Sequence, residues 1–323
     1  MSPPSTVNQR PTGNGHRPAT SSGRPLRLAV LVSYLRAEEK LILAAARARG
    51  IEVAPLFDRE LVLNLSAHDA VSAGMDYDVL LDRCVAHSRS GYTLRAFERW
   101  GVPTLNTSEA VHLCDDKAEN SLALERAGIP TPKTLLAFDI ESAIQACEQV
   151  GYPAVIKPVT GSWGRLLAKI NGPEQARAVL SQKQELGSFH HTIFYVQEFV
   201  PKPERDIRAF VVGDRVLAAS YRTSKHWVTN AARGAVSVPC PVTSEIEQLS
   251  FRACTAVGAR LAGVDLIETA DGLAIVEVNS VGEFKGLMGT TDVDIADEIV
   301  VEALRTARRA KATGVSPRGR GYS

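Results

Sequence analysis

The segment Ile275-Val-Glu-Val-Asn279 alternates apolar side chains with oxygen-bearing ones, which is the pattern of a half-buried β-strand. Residues i and i+2 of a strand share one face, so Glu277 and Asn279 point the same way. Oxygen ligands of this kind suit Mg²⁺, which proteins often share with substrate phosphates. Asp265 lies on a strand-like run twelve residues before Glu277, and a turn at Ala270-Asp-Gly272 separates the two. The segment therefore predicts an antiparallel hairpin with three metal ligands, against the alternative of a solvated strand face.

The composition is that of an ordinary globular protein. The 323 residues are 45% hydrophobic and 23% charged, and this length allows two or three subdomains. No apolar run is long enough to cross a bilayer, and residues 1–25 lack the apolar core of a secretory signal. The five cysteines form no CxxC pair and are odd in number. We therefore expect a cytoplasmic protein with reduced thiols, no zinc site and no membrane contact.

The two ends of the chain are basic, which the net charge of +1 conceals. Residues 1–25 and 305–323 contain nine of the 37 basic residues and no acidic residue, so 28 basic and 36 acidic residues leave 26–304 with a net charge of −8. Both ends are poor in large apolar residues, and we predict disordered, solvated tails. Contact with nucleic acid or an acidic partner is the alternative. We expect no nucleic-acid binding.

Hydrophobic periodicity predicts strands and helices along most of the chain. Leu26–Ser33 is a continuous apolar run typical of a buried parallel strand, and the β-α-β alternation that follows indicates an open α/β domain to about residue 108. One helix is predicted over Ser108–Ala127. The remaining predicted strands are Thr134–Phe138, Ala154–Lys157, Phe194–Phe199, Ile207–Val212, Arg215–Tyr221, Val264–Glu268 and Leu273–Asn279, with helices over Ile140–Val150, Ile246–Leu261 and Asp294–Arg309.

Lys157 ends one of these strands and stands before the Gly-rich loop Thr160-Gly-Ser-Trp-Gly-Arg165. A lysine there can pair with a phosphate, and glycines let backbone N–H groups approach an oxyanion, with Ser162 and Arg165 as further donors. A plain turn is the alternative. The loop is neither a Walker motif nor a Rossmann fingerprint, because GxxxxGK[ST] and GxGxxG are both missing. Lys117 is a second candidate phosphate ligand, or a surface lysine of its helix.

Further polar residues lie between the phosphate and metal segments. Gln197 and Glu198 end an apolar strand, which can hold an adenine through its backbone, and Asp206 can bind a ribose. The loop after Tyr221 is punctuated by Arg222, His226, Asn230 and Arg233. Polar loop residues usually face solvent, but the place of these residues in the chain favours a site.

Together these segments resemble the ATP-grasp superfamily in its RimK-like branch. The similarity is greatest to the LysX/ArgX group, which ligates an amino acid to an amino-group carrier protein, and it covers residues 26–304. Two segments, GSWGRLLAK at 161–169 and EFK at 283–285, are signatures of the group. The segments that carry the resemblance are Leu81–Val85, Cys114–Lys117, Ile129–Thr134, Ile156–Lys169, Phe194–Val200, Arg205–Gly213, His226–Asn230 and Glu277–Lys285.

The resemblance implies an α/β (α+β) ATP-grasp fold of three parts. These are an N-terminal open α/β domain over 26–110, a central lid subdomain over 111–195, and a C-terminal antiparallel-sheet subdomain with the metal site over 196–304. Disordered tails over 1–25 and 305–323 would flank them.

The resemblance also implies a role for each site residue. The implied ATP-binding residues are Lys117, Lys157, Gly161, Ser162, Trp163, Gly164, Arg165, Leu166, Leu167, Gln197, Glu198, Phe199, Val200, Asp206, Arg208 and Asn230. The implied catalytic residues are Lys157, Arg208 and Asn230. The implied amino-acid-binding residues are Arg222, Ala231, Arg233, Glu283, Phe284 and Lys285. Asp265, Glu277 and Asn279 are the implied ligands of Mg²⁺, with two ions expected and Mn²⁺ as an alternative.

The implied reaction forms an amide through an acyl phosphate. A carboxylate attacks the γ-phosphoryl group of ATP, and an amine then displaces phosphate. In the group, the carboxylate is the side chain of the C-terminal Glu of a small acidic carrier, and the amine belongs to α-aminoadipate or glutamate. A basic docking surface is expected, with Arg83, Arg89 and Arg95 or the tails as candidates. A homo-oligomer, dimer or tetramer, is also implied.

The chain departs from the group after Glu283-Phe-Lys285. The group continues with a polar Asn-Ser pair where this chain has Gly286-Leu287, and the segment Ser280-Val-Gly282 also differs. Loss of two polar groups beside the amino-acid pocket removes hydrogen bonds that set specificity, so the amino acid can differ from α-aminoadipate, as in secondary metabolism. Two other functions stay open: a RimK-like glutamate ligase acting on a protein C-terminus or a small cofactor, and a nucleotide-binding protein without catalysis. The intact metal set argues against the last.

Overall fold

The computed structural model describes residues 24–161, 166–185, 192–229 and 234–313. Within these ranges the chain forms three β-sheets with helices packed against them. No helix of the described ranges combines the length and the apolar character needed to cross a bilayer.

The first sheet is parallel and buried on both faces. Its elements are β1 (Arg27–Val32), α1 (Ala37–Ala48), β2 (Glu52–Phe57), β3 (Val79–Asp82), α2 (His87–Arg99) and β4 (Thr104–Leu105). The strand order is β2-β1-β3-β4. Val30 packs in the cluster that contains Ile42 of α1, and Leu31 packs on the other face with Phe97 of α2. Burial on both faces is the reason that β1 is apolar from Leu28 to Val32, and it confirms the predicted open α/β domain.

The helix predicted over 108–127 is two helices, so that prediction is wrong. They are α3 (Ser108–Asp115) and α4 (Lys117–Arg126). Asp116 has an extended backbone between them, and its carboxylate accepts the N–H groups of Ala118 and Glu119. An aspartate in this position caps a helix N-terminus. The apolar spacing continues across the break, and periodicity alone therefore hides it.

The second sheet is antiparallel, with the strand order β5-β8-β6-β7. Its elements are β5 (Thr134–Ala137), α5 (Ile140–Val150), β6 (Ala154–Lys157), β7 (Ala168–Ile170), α6 (Pro173–Glu185) and β8 (Phe194–Glu198). Ile144 of α5 and Leu180 of α6 pack with Val196 in one hydrophobic cluster. Strand β7 and helix α6 are additions to the predicted elements. The predicted domain boundary between residues 195 and 196 falls inside β8, which pairs with both β5 and β6.

The third sheet carries the hairpin that the sequence predicts. Its elements are β9 (Arg205–Val212), β10 (Arg215–Thr223), β11 (Val236–Cys240), α7 (Ser244–Ala256), β12 (Leu261–Thr269), β13 (Gly272–Asn279) and α8 (Ile295–Ala312). The strand order is β11-β10-β9-β12-β13, and all pairs are antiparallel. In the β12–β13 hairpin, Asp265 lies opposite Glu277 and Gly263 lies opposite Asn279. Arg208 on β9 is the other neighbour of Asp265.

Helix α8 joins the first sheet to the third. Ile299 of α8 lies in one hydrophobic cluster with Val30 of β1 and Phe210 of β9. The helix continues to Ala312, three residues beyond the predicted helix end at Arg309, so residues 305–312 of the predicted disordered tail are helical. Burial of Ala307 and the bond from Arg309 to Glu302 explain why this end is ordered.

Candidate active site

A first cavity of about 150 Å³ lies between the second and third sheets. It is bordered by β6 and β8 on one side and by β9, β10, β12 and β13 on the other. Twelve of the predicted site residues line it: Lys117, Lys157, Gly161, Leu167, Gln197, Glu198, Phe199, Val200, Asp206, Arg222, Asp265 and Glu277. The fold therefore brings together residues that are up to 160 positions apart in the chain.

Two lysines line this cavity. Lys157 is buried, and its Nζ donates to Oε1 of Gln197 at 2.6 Å. Burial lowers the pKa of Lys157 to about 8, against the raising effect of Glu277. Nζ of Lys117 donates to the carbonyl of Gly161 at 2.6 Å and lies 3.9 Å from Oε2 of Glu277. Both ammonium groups can pair with a phosphate chain as point charges.

Asp265 is held between two guanidinium groups. Its Oδ1 lies 2.5 Å from Nε of Arg208 and 3.1 Å from Nη2 of Arg222. Burial raises the pKa of Asp265 against the lowering effect of both arginines. For Glu277 the raising effect of burial is outweighed by Lys117, Lys157 and the two arginines, so its pKa is lowered.

The donor set of Asp265, Glu277 and Asn279 fits Mg²⁺. The set has two carboxylates and one amide. Clusters of three or more His, Cys, Asp or Glu side chains that could hold a metal ion are absent from the described ranges, and a set that includes an asparagine is not of that kind. Oδ1 of Asp265 is buried without a hydrogen-bond partner, although it lies in an ion pair. Asn279 donates its amide N–H to the carbonyl of Gly263 at 3.3 Å, which leaves its own oxygen for a ligand. Hard oxygen atoms in this number are typical of a magnesium site shared with phosphates.

Asp206 and Arg222 bind each other. Nε and Nη2 of Arg222 donate to the two Asp206 oxygens at 2.6 and 2.8 Å, and the Thr229 hydroxyl donates to the same carboxylate. The resemblance implies ribose contact for Asp206 and amino-acid contact for Arg222, but this structure places both in a buried ion pair. Burial lowers the Arg222 pKa, whereas Asp265 and Asp206 raise it, and the net effect is a raised pKa.

A second cavity, of about 690 Å³, opens beside the first. It lies where the third sheet meets the loops that follow β1 and β3, at the carboxyl ends of the parallel strands. In open α/β sheets this is the usual place of ligand sites. The two cavities share Arg222 and Glu277. The second is lined by Arg36, Val85, His87, Arg208, Ser220, Arg222, Ala235, Ser237, Glu277, Asn279, Val281, Glu283, Lys285, Gly286, Leu287, Gly289 and Thr290.

A buried ionic network fixes one wall of the second cavity. The Glu38 carboxylate accepts the backbone N–H groups of Phe284 and Lys285. The Arg83 guanidinium donates to the carbonyl of Gly282 at 2.8 Å and to Glu39 at 3.1 Å. The sequence suggests Arg83 as part of a docking surface, but this residue is only 1% exposed and cannot take that role.

The other docking candidates differ from one another. Arg89 and Arg95 are both exposed on α2, but Arg89 forms an ion pair with Asp58 at 2.9 Å.

Several predicted residues fall outside both cavities. Leu166 is 52% exposed, and its carbonyl accepts Nζ of Lys183. Phe284 is 1% exposed and packs edge-on against Phe210. The predicted residues that lie outside the described ranges are Ser162, Trp163, Gly164, Arg165, Asn230, Ala231 and Arg233.

Sequence reasoning missed Arg36, Glu38 and His87. Each comes from a loop or helix start of the first sheet, far from the ATP-site segments in the chain. The nearest segment with a recognised family resemblance is Leu81–Val85, which ends two residues before His87.

Two family models match the chain. The RimK-like ATP-grasp domain matches residues 114–303, and the LysX preATP-grasp domain matches residues 28–113.

Three relatives are named ligases. The chain is 33% identical over 276 residues to the alpha-aminoadipate–LysW ligase LysX of Saccharolobus solfataricus, covering 85% of this chain and 99% of the relative. It is 31% identical over 280 residues to the glutamate–LysW ligase ArgX of Sulfolobus acidocaldarius, covering 85% and 97%. It is 38% identical over 212 residues to the tetrahydromethanopterin:alpha-L-glutamate ligase of Methanococcus maripaludis, covering 64% and 71%.

The crystal structure of a RimK domain ATP-grasp protein from Sphaerobacter thermophilus is also similar. Its TM-score is 0.74 at 27% identity, and the match covers 86% of this chain and 99% of that one. Family models, relatives and fold agree with one another. The chain belongs to the RimK-like ATP-grasp ligases, in the LysX/ArgX group.

Proposed function

We propose that this ligase joins the α-amino group of an amino acid to the side-chain carboxylate of the C-terminal Glu of a small acidic amino-group carrier protein. ATP is converted to ADP and phosphate. The observation that carries the proposal is that the two cavities share Glu277 and Arg222. A phosphate chain in the first cavity and a carboxylate in the second would therefore meet at these residues.

The residues of the chain stabilise charge rather than form a covalent bond. Lys117 and Lys157 neutralise the phosphates, and Arg208 lies where negative charge develops during phosphoryl transfer. Mg²⁺, held by Asp265, Glu277 and Asn279, would supply further charge neutralisation. Two ions are part of this proposal, with Mn²⁺ as an alternative.

The second cavity suits anionic substrates. Arg36, Lys285, Arg208 and Arg222 line it, against the carboxylates of Glu277 and Glu283. This balance favours an acidic carrier tail and an amino acid such as α-aminoadipate, glutamate or an analogue. A Cβ atom at position 286 would lie 2.9 Å from Oγ of Ser237, so Gly286 lets that hydroxyl approach the backbone more closely than a residue with a side chain would. We also propose that the protein is cytoplasmic and that it forms a homo-oligomer, either a dimer or a tetramer.

ADP release tests this function. The full chain with MgATP is incubated with a panel of amino acids and acidic carrier proteins or peptides that end in Glu. We expect ADP release that requires both acid and amine, and an intact-mass gain of one amino-acid residue on the carrier. Absence of any mass gain across the panel would contradict the proposal.

A second candidate is a glutamate ligase that acts on a small cofactor. The 38% identity to the tetrahydromethanopterin:alpha-L-glutamate ligase of M. maripaludis favours it, although that match covers only 64% of this chain. Glutamate-dependent ADP release with a pterin carboxylate, and none with acidic peptides, would support this candidate.

A further inference from the structure

His87 and Asp115 form a side-chain pair at the edge of the second cavity. Nδ1 of His87 lies 2.6 Å from Oδ1 of Asp115. An ionised carboxylate can only accept, so the ring donates its Nδ1–H, and in the neutral ring Nε2 carries the free lone pair. The His87 side chain is 23% exposed and lines the cavity that also contains Arg208, Glu277 and Asn279. A histidine oriented in this way can act as a base.

The proposed reaction needs such a group. An amino acid is an ammonium ion near neutral pH and cannot attack an acyl phosphate until it has lost a proton. The other basic side chains that line the second cavity are Arg36, Arg208, Arg222 and Lys285. Arginines do not release their protons in proteins, and a lysine side chain is ordinarily an ammonium ion near neutral pH, with no lone pair to accept a proton. Arg36 is further held by Glu39 at 2.8 Å and Glu283 at 3.0 Å.

We propose that His87, oriented by Asp115, is the general base of amide formation. The amine nitrogen attacks the acyl carbon, the C–N bond forms, and the bond from carbon to the phosphate oxygen breaks. The phosphate leaves with that electron pair. One ammonium proton passes to Nε2 of His87 before the attack and later to water. The second N–H proton that the neutral amide loses leaves with the phosphate. This inference rests on the proposed function and adds a catalytic residue to it.

The charges around His87 come from three elements besides its own helix α2. Asp115 lies on α3, Asp82 at the end of β3 and Lys117 at the start of α4. Burial lowers the His87 pKa, but hydrogen bonding and charge attraction from Asp115 outweigh it, with Asp82 adding to the effect and Lys117 opposing it. The net pKa is raised. The base should therefore become active as the pH rises through a value above that of an ordinary histidine.

Trapping with hydroxylamine separates the two half-reactions. Hydroxylamine is uncharged near neutral pH and attacks an acyl phosphate without a base. The full chain is given MgATP, an acidic peptide ending in Glu, and either hydroxylamine or L-glutamate and L-2-aminoadipate. For His87→Gln we expect hydroxamate formation within about threefold of wild type, and amide kcat lowered about 100-fold, which is typical of a lost general base. The acid limb of the amide pH profile should disappear.

Asp115→Asn and His112→Gln complete the series. Asp115→Asn should lower amide kcat less than His87→Gln and move the acid limb to lower pH, because the carboxylate no longer raises the His87 pKa. His112 is an exposed histidine on α3, so His112→Gln should leave both products unchanged.

Three results would overturn the inference. Equal losses of hydroxamate and amide in His87→Gln would show a structural role. A raised KM for the amine at unchanged kcat would show that His87 binds a carboxylate as a cation. An unaltered pH profile would exclude proton transfer at this residue. If wild type forms neither product with any acid and amine, the proposed function itself fails, and the inference fails with it.

Discussion

Closely spaced charged side chains line the first cavity and its border with the second, and the cations outnumber the carboxylates by one. Lys117, Lys157, Arg208 and Arg222 face Asp206, Asp265 and Glu277 along the first cavity and its border with the second. Lys202 and Glu198 also line the first cavity, and five cations against four carboxylates favour a polyanion such as a nucleotide phosphate chain. Gly263 makes one of these contacts sterically feasible, because the Arg208 side chain crosses directly over its backbone.

Gly263→Ala tests this close approach. An added Cβ would lie 2.4 Å from Nη1 of Arg208 and 3.2 Å from its Cδ, so the guanidinium must move away from Asp265. We expect kcat for ADP release to fall about 100-fold, as a displacement of about 1 Å at a reacting centre can cause. Steady-state kinetics measure this.

Gly91→Ala is the matched control. Gly91 lies in α2 with nothing within 4 Å of an added Cβ. This variant should keep wild-type kinetics and gain about 0.5–1 kcal/mol of stability. Wild-type kcat in Gly263→Ala would refute the account of Arg208.

Helix α4 begins at Lys117, which we propose as a phosphate ligand. Asp116 ends α3 and caps α4, and the backbone N–H of Lys117 donates to the carbonyl of Val159 at 2.8 Å. Asp116 also forms an isolated β-bridge with Thr160. The helix start is thus attached to the segment that follows β6, and a helix N-terminus favours anions.

Asp116→Ala should affect both stability and ATP binding. Loss of the cap costs about 1 kcal/mol, and Lys117 loses its fixed position, so KM for ATP should rise several-fold. Asp139→Ala is the comparison, because Asp139 caps α5 by accepting the N–H of Ser142 at 2.9 Å, away from the cavity. It should lose similar stability at an unchanged KM. Equal KM values in the two variants would contradict the role of the α4 start.

Helix α8 contains an acid that should make stability depend on pH. The Glu302 side chain is 0% exposed and accepts from Nε of Arg260 at 2.7 Å and Nη2 of Arg309 at 2.6 Å. Burial raises its pKa, but the arginines outweigh burial, and the pKa is lowered from 4.5. The stabilisation is therefore complete above the unfolded pKa and is lost as pH falls through the folded one.

Glu302→Gln measures this contribution by urea unfolding over a pH series. At pH 7 the variant should be less stable by about 1–3 kcal/mol, toward the lower end because both arginines are more than a third exposed. The difference should shrink below pH 4.5. A difference that stays constant with pH would contradict the ionic origin.

In the whole molecule, the first domain forms part of the wall of the second cavity. The first and third sheets share a hydrophobic cluster with α8, and the loop after β13 is bound to α1 and to the end of β3 through Glu38 and Arg83. The second cavity has walls from both sheets. The shape of the second cavity, the proposed amino-acid site, consequently depends on contacts between the first domain and the loop after β13.

Glu38→Ala tests that dependence. The change leaves the backbone N–H groups of Phe284 and Lys285 without their acceptor, at a cost of about 1–3 kcal/mol. The cavity wall should loosen, so KM for the amine should rise at least about fivefold while KM for ATP stays constant. Glu52→Ala, whose side chain is 59% exposed on β2, is the control. A parallel rise of both KM values would show general destabilisation instead.

Some of the site can be predicted from the chain alone. The alternation at 275–279 and the turn at 270–272 specify the hairpin that sets Asp265 opposite Glu277. The break at Asp116 is less visible, because a cap competes with an unbroken apolar spacing. The ion pair of Asp206 with Arg222 is invisible, since nothing in either segment marks the other as its partner.

The sequence by itself determined the α/β character of the first domain, the hairpin that sets Asp265 opposite Glu277 and the strand that ends at Lys157. These depend on neighbouring residues, through strand and helix periodicity and through the turn and loop residues beside them. Only the tertiary structure decided that Arg83 is buried, that His87 faces the second cavity and that the two cavities share Glu277. The bond from Arg83 to Gly282 spans 199 residues, and a contact at that separation leaves no local pattern, because packing alone brings its partners together.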